Sequence, residues 1–216
     1  MGIAFFDMDY TVLSKSSSLL YVKYLWQRRM LSLRELKDVM LVSAQYSMNI
    51  LDFTRATVRL SRAVRGGDAA ATQALFDQFV PGSVIEHIAP RAVQKIREHQ
   101  IQGDHAVLIS ASPQFVVKLV AQHLGMEPRS TELEVGQDGK LTGGLVGEPC
   151  YGDGKRMWGE QIATTRGVPL NDCWFYSDSY SDHFLLDVVG HPIAVNPDPR
   201  LKTYAQQKRW PIEYFY

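Results

Sequence analysis

The sequence of 216 residues predicts an α/β protein, a doubly wound and mostly parallel sheet with an inserted α-helical bundle. Two observations predict this class. Short apolar runs at 3–6, 106–109, 173–176 and 192–195 alternate with segments of helical length, which is typical of parallel sheets covered on both faces. A long segment with helical signals and no strand-like alternation separates the first apolar run from the others.

The elements follow in order from local signals. After the strand at 3–6, residues 14–82 predict a cap of about four helices, with a capping box at 32–35, N-caps at Asp52 and Asp68, and a hinge at Pro81. The remaining residues, 1–13 and 83–216, predict the α/β core. Within it, Pro90 restarts or kinks a helix that runs to about His99, Ser112 caps the helix after strand 106–109, and Asp138 and Gly139 form the turn of a hairpin between 132–135 and 141–146. Helices after Lys155, from Ser181 and from Pro199 alternate with the strands at 173–176 and 192–195.

The composition narrows the class of partner. Lys and Arg total 23, as do Asp and Glu, so no charge bias indicates binding to nucleic acid. The only cysteines, Cys150 and Cys173, are too few for a disulfide scaffold and predict free thiols. No segment has the pattern of a signal peptide or the length of a membrane span, so we expect a cytoplasmic protein without stable membrane insertion. The sequence carries no signal for oligomeric state.

Polar side chains follow three of the predicted strands. Asp7, Asp9 and Thr11 come after the first strand, Ser110 after 106–109, and Asp178 after 173–176. Ligands of open parallel sheets bind at the carboxyl ends of the strands, so these groups are expected to meet at one edge. Asp182 lies four residues beyond Asp178, and Lys155 stands between the second and third of these strands just before a helix.

These residue types suit a divalent cation and a phosphoryl group. Mg²⁺ prefers oxygen ligands, while a lysine and a serine hydroxyl hold phosphate oxygens. Each residue alone has a simpler interpretation: Asp7 and Asp9 as solvated turn acids, Ser110 as an ordinary strand-end serine, and Lys155 as a solvated helix-start residue. Asp182 also fits an acid in the first turn of a helix. The joint placement favours the chemical interpretation.

The motifs resemble those of the haloacid dehalogenase superfamily. Four features of the chain occur in the order of the four motifs of that superfamily: the segment Asp7-Met8-Asp9-Tyr10-Thr11, Ser110, Lys155, and the segment from Asp178 to Asp182. The helical insertion directly after the first motif is similar to that of the subfamily IB phosphatases, which include phosphoserine phosphatases. The resemblance covers nearly the whole chain and implies a Rossmann-like core under a helical cap.

The resemblance also implies a role for each residue. Asp7 would be the nucleophile that forms an aspartyl-phosphate, and Asp9 the general acid and base. Asp7, the backbone carbonyl of Asp9, and Asp178 would bind Mg²⁺, with Asp182 and Ser179 supporting them and Asp182 also orienting Lys155. The phosphate would be bound by four residues: Thr11, which also helps to fix the loop, Ser110, Ala111 and Lys155.

The sequence departs from the family pattern near the site. Tyr10 and Ser177 replace the usual glycines, which removes no functional group. Residues 14–18 lack the acidic residue with which phosphoserine phosphatases read the substrate amino group, so phosphoserine is disfavoured. Histidinol phosphate and phospholipid headgroup phosphates stay open.

The predicted cap is positively charged. Residues 14–82 contain ten Lys/Arg and five Asp/Glu, a net charge of +5, which would attract an anionic substrate. Four arginines of this segment recur at helical spacing: Arg55, Arg59, Arg62 and Arg65. They are either candidate substrate contacts or one solvated face of a helix.

The sequence therefore predicts a Mg²⁺-dependent phosphomonoester hydrolase for a small phosphorylated molecule. A phosphotransferase or mutase with the same intermediate is one alternative. A phospho-accepting signalling module is another, although such modules are shorter and lack the insertion. A binding protein without catalysis is the last, and the intact set of acids argues against it.

Overall fold

A central sheet organises the protein, seen in a computed structural model that describes residues 1–30 and 61–216. Its strands are β1 (Ile3–Phe6), β2 (His105–Pro113), β3 (Glu127–Val135), β4 (Leu141–Val146), β5 (Cys173–Ser177), β6 (His191–Val195) and β7 (Ile212–Glu213). They lie in the order β4-β3-β2-β1-β5-β6-β7, and every pair is parallel except β3–β4. The predicted doubly wound, mostly parallel sheet is confirmed.

Helices cover both faces of this sheet. Within the described residues they are α1 (Ser17–Gln27), α2 (Ala69–Ser83), α3 (Pro90–Ile101), α4 (Gln114–Leu124), α5 (Asp153–Thr165), α6 (His183–Leu186) and α7 (Pro199–Lys208). Side chains of α1 to α4 share one apolar core with one face of the sheet, and those of α5 to α7 share a second core with the other. Strand β1 is fully buried because Ala4 and Phe6 belong to the first core and Ile3 and Phe5 to the second.

Several local signals have the predicted effect. The Asp68 carboxylate accepts a hydrogen bond from Ala71 N at 2.7 Å and caps α2, while Pro90 and Pro199 each begin a helix. Strand β3 pairs with β4 around the predicted turn at Asp138 and Gly139. The capping box at 32–35 and the N-cap at Asp52 lie outside the described residues.

Two predictions about element ends are wrong. Pro81 lies inside the last turn of α2 rather than at a hinge, and the helix closes beyond it through a bond from Val84 N to Val80 O. Ser112 does not cap a helix, because β2 continues to Pro113 and α4 begins at Gln114. The short strand β7 was not predicted, since its two residues give no alternation to detect.

The division into core and cap stays a prediction. Where the structure describes residues 14–82, they pack together and against the core. The Tyr21 ring of α1 stacks on Phe76 of α2 at 4.7 Å between centroids, and Phe76 stacks on Phe115 of α4 at 5.7 Å. No helix within the described parts of the chain is long and apolar enough to cross a membrane.

Candidate active site

The turn after β1 carries the two acids of the first motif. Asp7 N donates to Tyr176 O of β5 at 2.9 Å, which continues the sheet register to this residue. The turn is then closed by bonds from Val12 N to Asp7 O at 3.3 Å and from Leu13 N to Met8 O at 2.8 Å. Tyr10, between the acid pair and Thr11, has a φ of +57°, in the left-handed region. The family glycine that Tyr10 replaces therefore stands at a position where the backbone favours glycine.

Lys155 joins the first and last motifs. Its Nζ lies 2.7 Å from Asp7 Oδ1 and 2.7 Å from Asp182 Oδ2. The side chain is only 3% exposed, so the interpretation as a solvated helix-start residue is wrong. Burial alone would lower the pKa of Lys155, but the carboxylates of Asp182 and Asp7 raise it. The lysine is therefore charged at neutral pH and neutralises part of the acid cluster.

Ser177 fixes the orientation of Asp182. Its hydroxyl, fully buried at the end of β5, donates to Asp182 Oδ2 at 2.6 Å. Sequence reasoning treated Ser177 only as a harmless replacement for glycine. The available signal was a hydroxyl at a strand end, directly before the acidic segment.

Asp9 is held by the first turn of α1. Asp9 Oδ1 accepts from Ser17 N at 3.0 Å and Oδ2 from Ser17 Oγ at 3.1 Å, while the Ser17 hydroxyl also lies 3.1 Å from Ser112 Oγ. Desolvation raises the pKa of Asp9 to about 6, against the lowering effect of the bonds from Ser17. Sequence reasoning assigned no site role to Ser17 or Ser112, because their contact joins residues 95 apart.

The carboxylates of Asp7, Asp178 and Asp182 lie near the charge of Lys155. Burial raises the pKa of Asp7 to about 7, with Lys155 lowering it and Asp182 raising it. Burial, followed by the charges of Asp7 and Asp182, also raises the pKa of Asp178 well above its usual range. Thr11, fully buried, donates from Oγ1 to Asp178 Oδ1 at 3.3 Å and so connects the first and last motifs.

This donor set fits a hard divalent cation. The charge of Asp7 raises the pKa of Asp178, and a single lysine cannot offset both carboxylates when they are ionised, so a bound cation would stabilise their ionised forms. In the described ranges 1–30 and 61–216, no three His, Cys, Asp or Glu side chains enclose a metal by themselves. Mg²⁺ is usually bound by one or two carboxylates together with water and substrate phosphate, so two acidic side chains suffice for it.

Comparison with known proteins identifies the family of the chain. Residues 4–187 match the family model of the haloacid dehalogenase-like hydrolases. The chain belongs to this family. The recognition made from the motifs is thereby confirmed.

Three similar proteins illustrate the membership of this haloacid dehalogenase-like hydrolase. A probable phosphatase of Mycobacterium tuberculosis is 31% identical over 215 residues, covering 98% of this chain and 75% of that protein. A histidinol-phosphatase of Neisseria meningitidis is 31% identical over 220 residues, covering 99% of each. A solved structure of a Bordetella pertussis protein of unknown function superposes with a TM-score of 0.87 at 27% identity, over 99% of this chain and 98% of that one.

The other predicted residues lie at the same sheet edge. Leu108 of β2 and Tyr176 of β5 both pair with Phe6, so Ser110 and Asp178 lie near the level of the Asp7 turn. Asp178 follows β5 as predicted, whereas Ser110 lies within β2 and not after it, because the strand continues to Pro113. Ser110 is buried and its Oγ accepts from Ser112 N at 3.2 Å, and Ala111 beside it is half-buried. Ser179 lies 2.9 Å from Ser181 through the two hydroxyl oxygens. Their roles in binding phosphate or supporting the metal stay predictions.

The serines at the start of the predicted cap have structural partners. Ser14 Oγ donates to His87 O at 3.2 Å, and Ser16 caps α1 by accepting from Leu19 N. Arg62 and Arg65 are exposed, while Arg55 and Arg59 lie outside the described residues.

Proposed function

We propose that this hydrolase is a Mg²⁺-dependent phosphomonoesterase that acts on a small organic phosphate through an aspartyl-phosphate on Asp7. The observation that carries the proposal is the contact of the buried Asp7 carboxylate with Lys155, with Asp9 fixed two residues away by Ser17. The names of the Mycobacterium and Neisseria relatives support a phosphatase.

Asp7 would supply the nucleophilic oxygen. A bond forms between a carboxylate oxygen of Asp7 and phosphorus while the bond from phosphorus to the ester oxygen breaks. Lys155 Nζ, which is bonded to Asp7 Oδ1, would bind an oxygen of the incoming phosphate and offset its negative charge. Ser110 Oγ and the Ser110–Ala111 backbone, on the adjacent strand, would hold other phosphate oxygens.

Asp9 would move the proton in both half-reactions. Its protonated form gives a proton to the departing ester oxygen, and its ionised form then takes a proton from the water that attacks phosphorus and releases phosphate from Asp7. A pKa of about 6 keeps both forms accessible near neutral pH. The bonds from Ser17 hold the carboxylate in place during the exchange.

Mg²⁺ would be held by Asp7, the backbone carbonyl of Asp9, and Asp178, with Asp182 nearby. When bound, it would offset the repulsion between the carboxylate of Asp7 and the phosphate dianion. Thr11 would orient Asp178 through its hydroxyl.

The test is release of inorganic phosphate from p-nitrophenyl phosphate, histidinol phosphate and phosphoserine, with Mg²⁺ and with EDTA. We expect Asp7→Asn to lower kcat by at least about 1000-fold, and the exposed-helix control Asp77→Asn to leave it unchanged. We also expect histidinol phosphate to be hydrolysed faster than phosphoserine, because the Neisseria relative that matches 99% of this chain is named a histidinol-phosphatase.

Undiminished turnover by Asp7→Asn would overturn the mechanism, and turnover unaffected by EDTA would overturn the metal requirement. Added alcohol acceptors separate hydrolysis from transfer. A phosphorylated alcohol as the main product would replace the hydrolase by a phosphotransferase with the same nucleophile.

A further inference from the structure

The segment Asn196–Pro197–Asp198, which follows β6, contacts both loops that carry the acids of the site. Asn196 Nδ2 donates to Tyr10 O, in the loop of Asp7 and Asp9, at 3.3 Å. Asp198 N donates to Asp178 O at 2.8 Å, and Asp198 Oδ2 accepts from Tyr180 N at 2.8 Å. One short segment is therefore bonded to the first-motif loop and to the last-motif loop.

The first-motif loop needs such support. Tyr10 has a φ of +57°, which is unfavourable for a side chain of this size. Its carbonyl accepts a second hydrogen bond, from Tyr216 Oη at 3.0 Å. Two donors from the far end of the sequence thus hold the peptide between Tyr10 and Thr11 in a conformation that tyrosine alone disfavours.

The segment is itself anchored. Asn196 N donates to Glu213 O at 2.9 Å, and Asn196 Oδ1 accepts from Phe215 N at 3.0 Å, which ties it to β7 and the residues that follow. Asp198 Oδ1 accepts from Leu201 N at 2.7 Å and caps α7. Asn196 has a φ of +43°, a region that asparagine tolerates better than most residues. Its side chain uses the donor on the loop and the acceptor on the tail.

We propose that Asn196, Asp198 and Tyr216 are positioning residues that hold the loops of Asp7 and Asp178 at the separation required to bind a divalent cation. The proposal rests on the proposed function, since Mg²⁺ is the cation expected there. When they are ionised, the carboxylates of Asp7 and Asp178 repel each other in the absence of a cation, and this repulsion tends to separate the two loops. Hydrogen bonds that keep them together beforehand lower the cost of binding, which is preorganisation of the site.

The experiment measures binding of Mg²⁺ alone, as its chloride, by isothermal titration calorimetry, together with Tm in EDTA. Tyr216→Phe removes one donor to Tyr10 O, and Asn196→Gly removes the other while keeping the positive φ accessible. Tyr214→Phe is the matched control, because Tyr214 is a comparably exposed tyrosine, 58% against 56% for Tyr216.

We expect Tyr216→Phe to weaken Mg²⁺ binding about threefold to tenfold, the effect of one neutral hydrogen bond. Asn196→Gly should weaken it at least as much, because it also removes the acceptor of Phe215 N, and the control should bind as the unaltered protein does. At saturating Mg²⁺, kcat should return to within about twofold of the unaltered value. Adding Tyr10→Gly to Tyr216→Phe should restore part of the affinity, because glycine adopts the positive φ without the penalty.

Unchanged Mg²⁺ affinity in both variants, with hydrolysis by the unaltered protein intact, would overturn this inference and leave the proposed function standing. A lower Tm in EDTA with unchanged affinity would show a structural role instead and would also overturn it. Absence of Mg²⁺ binding by the unaltered protein would overturn the metal assignment of the proposed function and this inference with it.

Discussion

Asp9 is a half-buried carboxylate, and its surroundings stabilise the ionised form less than water does. Its pKa is raised from 3.8 to about 6, chiefly by desolvation, so the ionised form costs stability in the fold. Asp9→Asn keeps the shape and removes the charge. The asparagine Oδ1 can accept from Ser17 N as Asp9 Oδ1 does at 3.0 Å, and the Ser17 hydroxyl can turn to Ser112.

The expected gain in the free energy of unfolding follows from the pKa shift. Raising the pKa of Asp9 from 3.8 to about 6 corresponds to about 3 kcal/mol of lost stability at pH 7.5. Because the carboxylate is partly exposed, the expected gain from Asp9→Asn is reduced to about 2 kcal/mol. The sign is fixed by linkage: a raised folded pKa means that stability is lost as pH rises through the unfolded value of 3.8 toward the folded value of about 6. The gain should therefore fall below about 1 kcal/mol at pH 4.5.

Urea unfolding in EDTA at pH 4.5 and 7.5 measures this gain, with the exposed-acid variant Asp77→Asn as a control expected to differ by less than about 0.5 kcal/mol. Phosphate release by the same Asp9→Asn protein should fall at least about 100-fold, because the acid and base is lost. An Asp9→Asn protein no more stable than the unaltered one at pH 7.5, or equally stabilised at both pH values, would refute the reasoning.

Two further predictions concern hydrogen bonds of buried groups. Ser17→Ala removes the bond from Ser17 Oγ to Asp9 Oδ2, so the pKa of Asp9 should rise. The acidic limb of the plot of kcat against pH should then move up by about one pH unit. An unmoved limb would contradict the assignment of Asp9 as the base. Asp104→Asn weakens the buried contact between Asp104 and His99, at the end of the sheet opposite the candidate active site. Burial alone would raise the pKa of Asp104, but the hydrogen bonds from His99 and Gly2 N outweigh it and lower the pKa. It should cost about 1–3 kcal/mol in urea unfolding at pH 7, a loss that disappears as pH falls through the lowered pKa of Asp104, with kcat unchanged. A constant loss down to pH 2 would contradict a stabilising role for the ionised Asp104 carboxylate.

The sheet and the acids were predictable because both depend on local pattern. An apolar run buried on both faces, followed at once by Asp7 and Asp9, marks the carboxyl end of a strand in any parallel sheet. The order of the four motifs then fixed the family. Lys155 illustrates the limit, because its sequence environment alone favours a solvated residue. The family resemblance implied that Asp182 orients Lys155, and the fold shows Lys155 bonded to Asp182 and also to Asp7.

The hydroxyl partners were not predictable for a physical reason. Serines at strand ends and helix starts have ready local uses, as Ser16 shows by capping α1. Ser17 and Ser177 sit in similar local contexts but bond to acids that tertiary structure brings near them. The left-handed conformation of Tyr10 was hidden in the same way, since a tyrosine gives no signal for a positive φ.

Different groups hold the two acids that we propose as catalytic, and this difference links the proposed chemistry to the predicted cap. Asp7 is held by Lys155, which belongs to the core and carries a full charge whatever α1 does. Asp9 is held by the backbone and hydroxyl of Ser17, the first residue of α1, which lies within the predicted cap of residues 14–82. Those two bonds oppose the desolvation that raises the pKa of Asp9, so the placement of α1 contributes to the proton affinity of the proposed acid and base. On the proposed mechanism, a substrate that contacted α1 would act on the same helix that tunes proton transfer, while the proposed nucleophile would stay fixed by the sheet and Lys155.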